Sequence, residues 1–346
     1  MSFYKVSATS HFITMLLGAW LVLGIFIDGY AHNHGVVETF FTPWHAILYS
    51  GFLACAIWVV GLTLYTKKRN GSGWKQSVPA GYELGLLGVF IFLVGGLCDM
   101  AWHLIFGIEV NIEALLSPSH LALMLGGILI LSSPLRAGWR ESGWERPDWK
   151  TFLPSLLSLS LSAGTVNFFL MYVWMFRYNL AAPKVIEWYT DNSSNLFAHR
   201  MVEDAQVRGL TFILLNTIVF MYPVFLMLKR WRPPFGAITL LFLIITALMG
   251  VLDGFNQIQG LIISFIAGVS ADLLLLWRGN DEQPQRGNRL VAIFTPIALW
   301  GSYFGWMAVS SGIGWEPELW VGSIVQAALL SLALSILSNA TDRGIR

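Results

Sequence analysis

Two sets of Asp and His residues near the start of the chain share one arrangement. In each set an Asp is followed four positions later by a His, and a second His comes after a gap of twelve or sixteen residues. The two sets are Asp28, His32 and His45, and Asp99, His103 and His120. Positions i and i+4 of a helix share one face, and a carboxylate with two imidazoles suits copper, zinc or non-haem iron. The duplication predicts a metal centre of one or two ions.

The second His of each set belongs to a Ser/Thr-Pro-x-His element, at residues 42–45 and 117–120. Thr42 and Ser117 are suited to cap the amino terminus of a helix, and the proline that follows each one is suited to the first helical position. His45 and His120 are therefore predicted in the first turn of a helix. The preceding Asp and His end the helix before it, so an antiparallel pair of helices would bring all three ligands together.

The elements that carry these residues are predicted to be membrane-spanning helices. The chain is 55% hydrophobic and 12% charged, with a mean hydropathy of +0.63, whereas a soluble domain carries about 25% charged residues. Apolar runs long enough to cross a bilayer as helices recur ten times. They are residues 9–28, 43–65, 81–105, 117–135, 152–176, 207–228, 235–252, 256–277, 290–310 and 318–338. The predicted fold is an all-α membrane bundle surrounded by lipid, and nothing indicates a nucleic-acid partner.

The distribution of basic residues predicts the orientation. Seventeen of the 21 Lys and Arg residues fall in one alternating set of connecting segments and at the termini. By the positive-inside rule, both termini are cytoplasmic and the number of spans is even. The two metal sets then lie toward the periplasmic side of a multi-pass protein in a bacterial-type plasma (inner) membrane.

The duplicated motif also predicts the organisation of the chain into repeated helical hairpins. Spans one and two bracket the first set, and spans three and four bracket the second. We therefore expect residues 1–140 to form a metal-site region of two duplicated hairpins. Residues 141–346 would form the remaining bundle of about six helices.

Other polar residues near the motif are weaker candidates for supporting the ligands. They are His34, Glu38, Glu109 and Glu113, all in segments predicted to be external. Solvated loop carboxylates are the simpler interpretation of the three Glu residues, whereas for His34 a ligand or supporting role and an exposed loop side chain are equally compatible with the sequence. No catalytic residue is assigned, and no motif for an organic cofactor is present.

The first set resembles the C subunit of the particulate methane and ammonia monooxygenases. That family has an Asp-x3-His motif followed after twelve residues by the His of a Thr-Pro-x-His element, as in Asp28, His32 and His45. Asp99, His103 and His120 are similar to its second set, although their gap is sixteen residues long. The resemblance covers spans one to four. It implies one or two membrane-embedded copper sites near the periplasmic face. It also implies partners: other membrane or periplasmic subunits that complete a monooxygenase, or a donor that delivers copper to it.

Three functions are compatible with the pattern. The first is a copper-dependent membrane oxidoreductase, similar to a monooxygenase, that acts on a small lipophilic substrate. The second is a copper or zinc transport or handling protein, although spans one to four contain few polar residues along a path inward. The third is a zinc-dependent membrane lipid hydrolase, in which a metal-activated water would be the nucleophile.

Overall fold

A computed structural model provides the architecture of the protein. It describes residues 5–35, 41–70, 73–107, 112–141, 143, 145–191, 197–278 and 284–340. Every regular element in those ranges is a helix, so the all-α prediction is confirmed for them. The chain forms two compact units, one of Met1–Tyr172 with Ala247–Phe255 and the other of Val173–Thr246 with Asn256–Arg346.

The first eight helices belong to the first unit. They are α1 (Ala8–Asn33), α2 (Pro43–Asn70), α3 (Trp74–Ser77), α4 (Glu83–Phe106), α5 (Ile112–Leu116), α6 (Pro118–Leu131), α7 (Ser133–Arg140) and α8 (Trp149–Phe169). A 3₁₀ turn (Met171–Val173) follows. The later helices are α9 (Met175–Tyr178), α10 (Pro183–Asp191), α11 (Ala198–Arg230), α12 (Ala237–Val251), α13 (Gln259–Arg278), α14 (Pro284–Ser310) and α15 (Pro317–Ala340).

Nine helical segments of the described chain are long and apolar enough to cross a membrane. They are α1, α2, α4, α6 continued by α7, α8, α11, α13, α14 and α15. This composition is that of a multi-pass membrane protein. The cytoplasmic termini, the even number of spans and the repeated hairpins remain predictions.

The seventh predicted span, residues 235–252, differs from the expectation. Its helix, α12, has 15 residues and is therefore about 22 Å long at 1.5 Å per residue, shorter than a hydrocarbon core of about 30 Å. Pro233 and Pro234 precede the helix and disfavour its extension. A turn follows it, in which Gly254 and Phe255 both have φ near +60°.

Glycines allow the helices of the first unit to pack with their backbones in close approach. A Cβ atom on Gly24 of α1 would lie 2.6 Å from the Cα of Leu48 on α2. A Cβ atom on Gly88 of α4 would lie 2.7 Å from the carbonyl oxygen of Gly126 on α6. Small residues at such crossings are typical of membrane helices. They set the distance between the two helices of each pair.

In the second unit, a buried carboxylate caps a neighbouring helix. Asp272 of α13 accepts hydrogen bonds from the backbone N–H groups of Ile238 (3.2 Å) and Thr239 (2.9 Å) at the start of α12. It also accepts one from the Thr239 hydroxyl at 2.6 Å. The first N–H groups of a helix have no partner within it, so Asp272 satisfies donors that apolar surroundings would otherwise leave unpaired.

Candidate metal centre

The first candidate site joins the end of α1 to the start of α2. Asp28 and His32 are one turn apart on α1, with Asp28 Oδ2 3.7 Å from His32 Nε2. His45, in the first turn of α2, places its Nε2 3.3 Å from Asp28 Oδ1. One potential ligand atom from each residue lies within 4.8 Å of the other two. The structure therefore brings together the three side chains of the first set, hereafter the first site.

The second candidate site, formed by Asp99, His103 and His120, has the same construction. Asp99 and His103 are one turn apart near the end of α4, with Asp99 Oδ1 3.5 Å from His103 Nε2. His120 in the first turn of α6 places its Nε2 3.1 Å from the same oxygen. The three ligand atoms again lie within 4.8 Å of one another. Asp99 is almost completely buried, with 1% of its surface exposed.

The helix starts position the later His of each site as predicted. The backbone N–H of His45 donates to Thr42 Oγ1 at 3.3 Å, and that of His120 donates to Ser117 Oγ at 3.3 Å. Pro43 and Pro118 are the first residues of their helices. Each capping hydroxyl thus starts the helix three residues before the ligand, which directs the imidazole back toward the preceding helix end.

In the second site, hydrogen bonds at Nδ1, the ring nitrogen that does not face Asp99, orient the imidazoles of His103 and His120. His103 Nδ1 lies 3.3 Å from the carbonyl oxygen of Gly107, and His120 Nδ1 lies 2.9 Å from Ser117 Oγ. Since a carbonyl oxygen only accepts, His103 carries a proton on Nδ1. Such bonds to the second ring nitrogen fix the tautomer and the ring orientation of metal-binding histidines.

The two sites are neighbours. The ring centroids of His45 and His103 are 6.4 Å apart, so a ligand of the first site lies beside a ligand of the second. Tyr49, one turn after His45 on α2, donates its hydroxyl to Asp99 Oδ2 at 3.1 Å. Sequence reasoning missed Tyr49. The available signal was a polar side chain four residues after a candidate ligand on an apolar helix.

The donor sets fit a bound cation. Two ligands of one ion with bonds of about 2.1 Å are at most about 4.2 Å apart, and the Asp–His separations of 3.1–3.7 Å lie within that limit. Asp28 Oδ1 is buried, and nothing in the described residues donates a hydrogen bond to it. Nor does any described Lys or Arg pair with Asp28 or Asp99. Buried charges require compensation, which a metal ion would provide.

The geometry around His103 supports the same conclusion. With Nδ1 directed at the Gly107 carbonyl, Nε2 would be the ring nitrogen available to a metal ion. It lies 3.5 Å from Asp99 Oδ1. A metal ion between these two atoms would be held by both.

Of the four additional candidates only His34 has a described side chain, and it belongs to neither site. His34 is exposed at the end of α1, where its ring stacks on Tyr30 with centroids 3.9 Å apart. Glu38 and Glu109 lie outside the described residues. Glu113 belongs to α5, but its side chain is also outside the described part.

Comparison of the chain with protein-family models, with curated proteins and with solved structures finds no match. The functional argument therefore depends on the residues and geometry of the two sites.

Proposed function

We propose that the protein is a copper-dependent membrane oxidoreductase, similar to a monooxygenase, with its metal centre in the first unit. The main support is the pair of Asp-His-His sites, built in the same way and adjacent through His45 and His103. Copper is favoured because imidazole is a good copper ligand and because the first set has the residue spacing of the particulate monooxygenase C subunit.

In this proposal Asp28, His32 and His45 hold one ion, and Asp99, His103 and His120 hold another. A bound copper ion would supply one-electron redox chemistry. The carboxylates contribute the negative charge that stabilises a cation in apolar surroundings. The Gly107 carbonyl and the Ser117 hydroxyl keep the imidazoles in the orientation for binding.

Access from solvent differs among the ligands. The side chains of His32 and His120 are 27% and 23% exposed, whereas those of His45 and His103 are 8% and 4% exposed. His32 and His120 are thus the more accessible ligands, and His45 and His103 are enclosed. A small lipophilic substrate or a copper donor would approach at His32 or His120.

The apolar side chains on the predicted cytoplasmic side of the two sites disfavour the alternative of a metal transporter. Apolar side chains of α1, α2, α4 and α6 form a cluster that begins one turn from the ligands. It contains Leu21, Leu48, Phe52, Cys55, Phe92, Leu123 and Ile130. Ions crossing a membrane need polar groups or water along their path, whereas the side chains of this cluster are apolar.

The orientation and the partners belong to the same proposal. The centre would face the periplasm of a bacterial-type inner membrane, because the basic segments are predicted to be cytoplasmic. Other membrane or periplasmic subunits, or a copper donor, would supply electrons and copper. A zinc-dependent lipid hydrolase would use the same ligands, so the identity of the metal separates it from the oxidoreductase.

Elemental analysis of the detergent-purified protein, with anomalous scattering at the copper and zinc edges, tests the proposal. We expect up to two copper ions per chain, located at the two sites. His32→Ala and His103→Ala should each remove one of them. His199→Ala, which changes an exposed His of the second unit, should leave the copper content unchanged and controls for the loss of a histidine.

Oxygen consumption with a chemical reductant and a lipophilic substrate tests the redox part. It should occur in the copper-loaded protein and be lost in His32→Ala or His103→Ala. Protein that binds only zinc, or whose copper content is the same in all three variants, would refute the copper function.

A further inference from the structure

We infer that Tyr49 is a positioning residue of the metal centre, through which α2 helps to build the second site as well as the first. The inference rests on the proposed function, since it concerns metal binding at the two sites. It assigns to Tyr49 the task of holding the Asp99 carboxylate in its binding orientation.

Asp99 is held at both oxygens. Tyr49 donates to Oδ2 at 3.1 Å, and Ser119 donates to Oδ1 at 3.1 Å. Oδ1 is also the oxygen that faces the imidazoles, at 3.5 Å from His103 Nε2 and 3.1 Å from His120 Nε2. The Tyr49 bond therefore fixes the rotation of the carboxylate that directs Oδ1 at both histidines.

The backbone of α4 leaves room for Tyr49 in this position. A Cβ atom on Gly96 would lie 2.9 Å from the Cε1 atom of the Tyr49 ring. Gly96 precedes Asp99 by three residues and so lies on the same side of α4. The absence of a side chain at residue 96 lets the ring of Tyr49 lie against α4 and reach the carboxylate.

Tyr49 links the two sites because of its place on α2. It follows His45 by four residues, so the two side chains share one face of the helix, with ring centroids 6.2 Å apart. Among the described residues, Oδ1 of Asp28 in the first site has no equivalent support. The position on α6 that corresponds to Tyr49 on α2, four residues after the ligand His120, is Met124, which has no hydroxyl to donate. No described group donates a hydrogen bond to Asp28 Oδ1.

Two backgrounds separate the sites in a test. His32→Ala leaves the second site as the complete one, and His120→Ala leaves the first. Each is titrated with Cu²⁺ in detergent, with and without Tyr49→Phe, which removes only the hydroxyl. Because loss of a supporting hydrogen bond typically weakens metal binding 10–100-fold, we expect about that loss in the His32→Ala background. In the His120→Ala background the change should be less than about twofold.

Tyr65→Phe is the matched control, since Tyr65 is on the same helix, sixteen residues after Tyr49, and its hydroxyl accepts a hydrogen bond from Arg69 at 3.5 Å. It should leave both affinities unchanged. The electron paramagnetic resonance spectrum of Cu²⁺ in the second site should change with Tyr49→Phe and not with Tyr65→Phe, which a general loss of stability would not produce.

Equal weakening of both sites by Tyr49→Phe would indicate a structural role and overturn the inference, as would an unchanged second site. If neither background binds Cu²⁺, the titration is repeated with Zn²⁺. Site-selective loss of Zn²⁺ affinity would then support the role of Tyr49 while refuting the copper function. Binding of neither ion would refute both.

Discussion

Replacing Gly24 with Ala should damage the first site by separating the two helices that form it. The added Cβ atom would lie 2.6 Å from Leu48 Cα and 2.9 Å from Leu48 N. Ordinary contact begins at 3.4 Å, so the α1 and α2 backbones must separate locally by about 0.8 Å. Overpacking of this kind costs about 1–3 kcal/mol, offset by about 0.5–1 kcal/mol for Gly→Ala in a helix.

The consequence for the metal follows from the positions of the ligands. Asp28 is one turn beyond Gly24, and Leu48 is one turn beyond His45, so the displacement acts on the 3.3 Å separation of Asp28 and His45. It would increase that separation to about 4 Å, close to the upper limit of about 4.2 Å for two ligands of one ion, whereas each metal–ligand bond tolerates a change of only about 0.2 Å. We expect Cu²⁺ affinity at the first site to fall at least tenfold, and by more than at the second site, which α2 contacts only through Tyr49 among the described hydrogen bonds.

Calorimetric titration with Cu²⁺ measures both affinities, and thermal unfolding in detergent measures the stability. Gly61→Ala is the control, because Gly61 is also on α2 and a Cβ atom there would have no neighbour within 4 Å. It should preserve metal binding. Unchanged first-site affinity in Gly24→Ala, or equal losses in the two variants, would refute the argument that the close approach of α1 and α2 sets the ligand distance.

Three further changes test other parts of the structure. Asp272→Asn should lower the free energy of unfolding by about 2 kcal/mol, because hydrogen bonds to a charged group contribute about 1.5–3 kcal/mol. Denaturation in mixed micelles measures this free energy, and an equal loss in the exposed control Asp204→Asn would contradict the prediction. Ser117→Ala should cost about 1 kcal/mol of stability through the lost helix cap. Because it also removes the hydrogen bond to His120, it should weaken Cu²⁺ binding at the second site about tenfold. Unchanged Cu²⁺ affinity would show that this hydrogen bond has no effect on binding. In a protein with no other cysteine, Glu145→Cys should react with a membrane-impermeant thiol reagent in inverted vesicles only, whereas labelling in right-side-out vesicles would reverse the predicted topology.

The ligands could be predicted from the sequence because each position depends on local rules. The i, i+4 spacing places Asp28 beside His32 on any helix, and the Thr42-Pro43 pair starts the next helix three residues before His45. A short connection between antiparallel helices then brings the three side chains together. The same reasoning applies to the second set.

Contacts between the two helix pairs could not be predicted in this way. The hydrogen bond from Tyr49 to Asp99 joins residues 50 positions apart and depends on the space beside Gly96. The approach of His45 to His103 likewise depends on how α2 packs against α4. The seventh predicted span, residues 235–252, is the shortest of the ten apolar runs, but hydropathy alone does not give the 15-residue length of α12. Pro233 and Pro234 limit that helix at one end, and a turn at positive φ limits it at the other.

The two sites share a construction but differ in how firmly they hold the carboxylate, and this difference suggests different roles. Asp99 is buried and accepts hydrogen bonds at both oxygens, so little further ordering is needed when an ion binds. Asp28 is more exposed, and its Oδ1 receives no hydrogen bond from the described residues. A preorganised site loses less freedom on binding and retains its ligand longer. We therefore expect a chelator to remove the ion of the first site before that of the second, which makes the first site the better candidate for exchange with a donor or reaction with a substrate.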